Sequence, residues 1–311
     1  MRSLWPPSLV SHPWVARLQA YRRPLRVLGY LAPLAALTYC MWLLASGWDE
    51  LAVLDWRVFA TLFPLVMLEY LAALLLQLTL WMRLVGIDSS PSWTDVGIFF
   101  RAVMMRALPG GPWHWAGRVA MYAGETEIAP AKIVRWTLVE TLLMCSTGVG
   151  LAGLARPETS PLLRASLLGA ALILAAHVSA RWQPKRWPPA KRTTETLLWL
   201  ALGSGAWIAG GAITHALVQV GGARDLTWVT AVYVWTAVGL VGIAVTPLPT
   251  SLGLRELLLV WFLAPHMTPA LSVVIGVTLR AVFLVADLTW GGLGWAASHL
   301  VLRVSGPPLA P

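Results

Sequence analysis

The sequence predicts an all-α fold, a polytopic transmembrane helical bundle of about seven to eight spans with two re-entrant or broken helices. Three observations predict it. Apolar residues make up 58% of the 311 and charged residues only 12%, whereas an ordinary soluble domain carries about 25% charge. With a mean hydropathy of +0.68, such a chain has too little polar surface to stay dissolved. Apolar runs of roughly 17–25 residues recur, the length that a hydrocarbon core of ~30 Å requires. Finally, two Pro/Gly-containing segments interrupt the runs, and irregular backbone at membrane depth survives only where protein or water satisfies its polar groups.

The elements follow in order. Residues 1–26 read as a cytoplasmic basic N-terminal segment, with Arg2, Arg17, Arg22, Arg23 and Arg26 and no acid. It is too long and basic a lead for a cleavable signal, and Trp5, Trp14 and Tyr21 suit the bilayer interface. Residues 27–303 form the transmembrane domain and 304–311 a short C-terminal tail. Spans are expected near 27–45, 59–81, 136–154, 163–180, 196–220, 230–246 and 269–290. The apolar pieces near 94–107 and 252–263 are too short to cross and adjoin the interruptions, so they read as re-entrant or half helices.

Charge sets the orientation. The leading segment, the region 83–135 (Arg83, Arg101, Arg106, Arg118, Lys132, Arg135) and the segment 181–192 (Arg181, Lys185, Arg186, Lys191, Arg192) are rich in cations. The alternate connections are poor in them: Asp49, Glu50, Asp55 and Arg57, then Arg156, Glu158 and Arg164, then Arg224 and Asp225. The positive-inside rule therefore places the N-terminus in the cytoplasm of a multi-pass plasma-membrane protein, provided that 94–107 does not cross fully.

The same distribution excludes other classes. The net charge of +9 comes from 20 Arg and 3 Lys against 14 acids, gathered between apolar runs as membrane topology demands, so no nucleic-acid partner is expected. Cys40 and Cys145 lie inside apolar runs as packing residues, and no metal site is expected. No Gly-rich phosphate loop, HExxH or nucleophile elbow is present. No catalytic residue and no cofactor are therefore expected, and the chain does not read as an enzyme.

A shift of 140 residues suggests an internal repeat. It lays Leu108-Pro109 on Leu248-Pro249, and the spans 27–45, 59–81 and 136–154 on 167–185, 199–221 and 276–294. Corresponding broken segments in two halves point to a transporter-type site; evenly spaced helices would also align in this way by chance.

The charges within the apolar runs are the informative residues, since a charge at the bilayer centre costs at least about 2.5–3.5 kcal/mol. Glu69 lies in mid-span, and Glu140 near the start of its span. Arg280 and Asp287 are seven residues apart, hence on one helix face. Arg101, Arg106 and Arg118 flank the first break, where Pro109 and Pro112 prevent a continuous helix, Gly110-Gly111 permits close backbone approach, and Trp113 and His114 follow. At the second break, Gly253 permits close approach to a ligand, with Arg255 and Glu256 near a half-helix start. One reading is a polar cavity in which Arg106, Arg118, Arg255 and Arg280 hold an anionic headgroup through phosphate contacts. Glu69, Glu140, Glu256 and Asp287 would balance them or bind a cationic headgroup. The other is structural Arg–carboxylate pairing between helices.

Leu108-Pro109-Gly110-Gly111-Pro112-Trp113-His114 with Gly117-Arg118, followed by Glu140, resembles the lysylphosphatidylglycerol synthase transmembrane region. The later element Pro249 to Gly253-Leu254-Arg255-Glu256 is similar to that family's second motif, and Arg280 and Asp287 sit where its last polar helix lies. This second motif reads Pro-Thr-Ser-Leu-Gly where a Gly-rich form is common. The resemblance covers nearly all of the chain after about residue 25. It implies a flippase-like fold with re-entrant helices that moves a phospholipid or lipid-linked headgroup between leaflets. The soluble aminoacyl-transferase domain of the bifunctional synthases has no counterpart here, so aminoacyl transfer is not expected. Membrane lipids are the expected partners, together with a lipid-modifying synthase or glycosyltransferase in relatives of this kind. The alternatives are a non-catalytic scaffold for such a synthase, or a membrane enzyme acting on polyprenyl-linked substrates. The oligomeric state is left open.

Overall fold

The computed structural model describes residues 55–87, 89–108, 113–156, 160–223, 225–245 and 251–304, with short helical pieces at 35, 38–43 and 45–46. The described residues fold as helices throughout: α1 (Trp56–Val85), α2 (Trp93–Met104) with a 3-10 turn (Met105–Ala107), α3 (Trp113–Glu125), α4 (Pro130–Ala155), α5 (Pro161–Trp182), α6 (Pro189–Val220), α7 (Trp228–Val245), α8 (Ser251–Leu263) and α9 (Pro269–Val304). Six of them, α1, α4, α5, α6, α7 and α9, are long and apolar enough to cross a membrane. The protein is an all-α polytopic bundle. The first expected span, 27–45, lies mostly outside the described residues.

The helix boundaries have local causes. Asp55 caps α1 by accepting from the Arg57 and Val58 amides at 3.0 and 3.1 Å, and Ser92 and Asp95 form a capping box at the start of α2. Pro130, Pro161 and Pro189 open α4, α5 and α6 at the first helical turn, where a missing amide costs nothing. These helices therefore begin before the apolar windows that mark them in sequence. The segment after the first break, for which the sequence predicts no element, is a helix: α3 buries Arg118 and Tyr122 on one face, four residues apart.

Two helical hairpins enter from opposite ends of the bundle. The Trp81 indole near the end of α1 donates to the Tyr122 hydroxyl at 3.0 Å, and Arg101 of α2 pairs with Glu125 at the end of α3. The chain thus returns, after α2 and α3, to the end where α1 finished. Arg83 pairs with Glu195 at 3.0 Å, and Arg135 donates to the Trp182 carbonyl at 3.2 Å, which puts the start of α4, the end of α5 and the start of α6 at that same end. At the other end, His266 after α8 lies 3.0 Å from Asp225 before α7. Here α7 and α8 go in and come back, and α9 starts from the end they left.

The shift of 140 residues now has a structural counterpart. It lays α1, α2, α3 and α4 on α6, α7, α8 and α9 in order, with helix starts at 113 and 130 falling on 253 and 270 against observed starts at Ser251 and Pro269. Packing follows the same relation: α1 runs along α6, while α2 packs on α9 and α7 on α4. Each hairpin thus has one arm packed on the other half, and α7 packs on α6 of its own half as well. Cys40 and Leu43 of the 38–43 piece pack on Val260 of α8 and Val273 of α9, much as α5 packs on α4. The two hairpins open at opposite ends, the arrangement that an inverted repeat of the two halves would have.

Candidate functional site: a charged cavity between two hairpins

A cavity of about 700 Å³ lies where the hairpins meet. Its wall includes Leu108 and His114 on either side of the first break, and Val245 and Leu254 on either side of the second. Arms of both hairpins therefore border one space. The start of α3 and the start of α8 border it, so two helix N-termini contribute partial positive charge there.

The wall is amphipathic. Trp207 of α6, Trp235 of α7 and Phe283 of α9 supply broad apolar faces, while Tyr70, Gln77, Arg106, His114, Arg255, Arg280 and Asp287 supply polar groups. The Tyr70 hydroxyl donates to the Asp287 carboxylate at 2.5 Å, and Arg106 donates to the Gln77 carbonyl oxygen at 2.8 Å. Arg106 also interacts with Asp287, so these four side chains make one network across α1, the 3-10 turn and α9. Arg280 donates to Glu256 at 3.1 Å; its side chain is 39% exposed while that of Glu256 is 7%. The guanidinium faces the cavity and the carboxylate lies behind it. Arg255 stands apart. It stacks on Trp235 at 4.6 Å and on Phe283 at 5.0 Å. Its Nη2 is enclosed without a partner.

The predicted site residues divide accordingly. Arg106, His114, Arg255, Arg280 and Asp287 line the cavity, and Glu256 reaches it through Arg280. Arg280 and Asp287 share a face of α9, as their spacing of seven requires. Arg118 and Glu140 are not on the wall. They form a buried pair at 2.5 Å, with Arg118 1% exposed and stacked on Trp81 at 4.0 Å. This pair fastens α3 to α4 against α1 and α2, and the expectation that Arg118 and Glu140 share the cavity with Arg255, Glu256 and Arg280 is corrected to that extent. Glu69 lies half-buried on α1 away from the lining, its Oε2 enclosed without a partner. Trp113 opens α3 about half exposed and off the wall. Gly253 falls in the first turn of α8. Pro109 and Gly110 lie outside the described residues. Among the described residues, no cluster of His, Cys, Asp and Glu is arranged to hold a metal ion.

The two Arg–carboxylate pairs are counterparts with their signs exchanged. Arg118 on α3 pairs with Glu140 on α4. In the second half, Glu256 on α8 pairs with Arg280 on α9, and Arg280 is the residue that the shift of 140 lays on Glu140. The first pair is sealed among aromatic rings and the second is open to the cavity.

Tyr70, Gln77, Trp207, Trp235 and Phe283 carry much of the wall and were not singled out in sequence. Tyr70 follows Glu69 directly, and a step of about 100° around the helix decides which of the two faces inward. Gln77 lies seven residues on from Tyr70, on the same face. This polar spacing within an apolar run was the available signal.

Comparison with family models, with curated proteins and with solved structures finds no match for this chain.

Proposed function

We propose that the protein is a lipid translocase of the flippase kind, which lets the headgroup of a phospholipid or lipid-linked compound cross the bilayer through the cavity while the acyl chains stay in lipid. The observation that carries this reading is the meeting of two oppositely directed hairpins at one amphipathic, charge-bearing cavity. Transporters built from inverted repeats hold cargo between discontinuous helices near the midplane, and charges inside a membrane domain mark such pathways. The resemblance of the Pro109–Arg118 and Pro249–Glu256 segments to the lysylphosphatidylglycerol synthase transmembrane region points the same way. So does the absence from the sequence of a nucleotide-binding loop, which favours equilibration of lipid without ATP. The cell membrane, with the Arg83/Glu195 end of the bundle in the cytoplasm, is the proposed setting.

The test is purified protein in liposomes carrying a panel of fluorescent phospholipids and lipid-linked sugars, with a quencher added to the outer leaflet. Transfer above protein-free liposomes, without ATP, is the expected result. No transfer of any lipid, together with stable co-purification of a synthase or glycosyltransferase, would replace this reading with the scaffold.

A further inference from the structure

We infer that the cavity is built for a lipid whose headgroup carries a single phosphodiester negative charge, with Arg255 as the residue that receives it. The inference rests on the translocase reading for its lipid, and on a count of charges for its valence. In their ordinary charge states, the ionised groups in and directly behind the wall are Arg106, Arg255, Arg280, Asp287 and Glu256. Arg106 is offset by Asp287, which also accepts from Tyr70. Arg280 is offset by Glu256 at 3.1 Å. Three cations against two carboxylates leave one positive charge over, and Arg255 carries it: Glu256 and Asp287 act on it only at longer range, no hydrogen bond or ion pair reaches it from any described residue, and one of its nitrogens is enclosed without an acceptor. The two aromatic faces on which it stacks attract a cation weakly but accept no N–H bond. An unoffset guanidinium in a low-dielectric wall favours one incoming anion, which phosphate oxygens meet in the guanidinium's own fork geometry.

The count also sets a limit. One unoffset cation matches a phosphodiester monoanion, as in a glycerophospholipid. A phosphomonoester dianion or a diphosphate-linked sugar would leave at least one negative charge unmet in the same wall, at the cost that buried unpaired charges carry. Trp207, Trp235 and Phe283 add the apolar faces that a headgroup joined to acyl chains would slide along. Glu256 tunes the valence: with its charge removed, Arg280 becomes a second free cation 39% exposed beside the first.

The experiment measures equilibrium binding to purified protein in detergent by native mass spectrometry. The probes are short-chain phosphatidylglycerol, short-chain phosphatidic acid, a short-chain prenyl diphosphate and chain-free glycerophosphoglycerol. Wild-type protein is expected to prefer phosphatidylglycerol, and Arg255→Gln to weaken it by about tenfold or more, the size expected for a lost charge-assisted bond. Glu256→Gln is expected to shift preference toward the doubly charged probes. Size-exclusion profiles matching wild type qualify each variant, and Arg255→Lys, which keeps the charge, serves where Arg255→Gln does not fold and is expected to bind more weakly while keeping the preference for one charge. Equal or tighter wild-type binding of the doubly charged probes, unaltered binding by Arg255→Gln, or equal binding of the chain-free probe would overturn the assignment. Leaflet transfer is measured in parallel: selective binding without transfer keeps the site and removes the translocase reading, whereas transfer indifferent to Arg255 and to charge does the reverse.

Discussion

Arg118→Met should destabilise the protein, and Arg118→Met combined with Glu140→Leu should restore its stability. Arg118 is 1% exposed and donates to Glu140 at 2.5 Å, with its guanidinium 4.0 Å from the Trp81 ring and 5.5 Å from Phe99. Removing one partner of a buried pair leaves the other charge uncompensated, at a cost of about 3–5 kcal/mol. Methionine fills much of the space between the two rings, so the loss comes mostly from Glu140. At ~2–4 °C per kcal/mol for a domain of this size, the midpoint of thermal unfolding should fall by roughly 6–20 °C. Replacing both partners by apolar residues removes the buried charges together and is commonly neutral or stabilising. The assay is thermal unfolding in detergent for wild type, both single variants and the double variant, analysed as a cycle. A large coupling term, with both singles damaged and the double near wild type, is expected. If Arg118→Met melts with wild type and lipid transfer nonetheless disappears, Arg118 holds cargo and its assignment as a fastening is refuted.

Three further outcomes can be checked. A Cβ on Gly211 would lie 2.6 Å from the Val232 Cα, a backbone atom; Gly211→Ala should push α6 from α7 and cost about 1–3 kcal/mol in thermal unfolding, whereas Gly210→Ala, which meets the Trp235 ring at 2.0 Å, should show its larger effect on lipid transfer by displacing the ring that carries Arg255. The hydrogen bond from His266 holds the Asp225 carboxyl below its ordinary value of 3.8. A depressed pKa means that the link at the mouth of the α7–α8 hairpin is present above that ordinary value and lost as pH falls through the lower folded one. Amide protection over 264–268, corrected for intrinsic exchange, should therefore drop in that acidic window, and Asp225→Asn should lower it at neutral pH. Finally, single cysteines at Glu195 and at Thr227, in protein with Cys40 and Cys145 replaced, should react with a membrane-impermeant thiol reagent from opposite sides of the bilayer; labelling from one side would refute the inverted repeat.

Much of the bundle was legible in sequence because its cause is simple: a helix must be long and apolar to cross a membrane, and α1, α4, α5, α6 and α9 announce themselves in that way. The shift of 140 residues marked by two Leu-Pro pairs lays helix on helix in the same order, although evenly spaced helices would align in that way by chance. Charge within apolar runs singled out Arg106, Arg255, Arg280 and Asp287, which line the cavity. It could not tell a wall from the layer behind it. Arg118 and Glu140 read the same as Arg255 and Arg280 in sequence, and only the placement of Trp81, Phe99 and Tyr122 around Arg118 separates fastening from site. The helical state of α3 was hidden because its buried face holds an arginine and a tyrosine, residues that a search for apolar spacing passes over.

The exchange of hairpin arms between the halves constrains how the protein is made. Arg118 finds Glu140 soon after both emerge, because α4 follows α3 directly. By contrast α2, complete at Met104, rests on α9, which starts at Pro269. At ~5–20 residues per second, the first arm waits on the order of ten to thirty seconds for the helix it packs against. Through that interval Phe100 lacks the Gly291 and Gly294 surface of α9 against which it finally closes. A helix made long after the α2–α3 hairpin thus completes that hairpin's packing. A chain cut short before α9 would hold the Arg101–Glu125 and Arg118–Glu140 pairs, yet leave Arg106 without Asp287 and that hairpin unsupported, a form that membrane quality control could tell from the finished protein by its loose α2 arm.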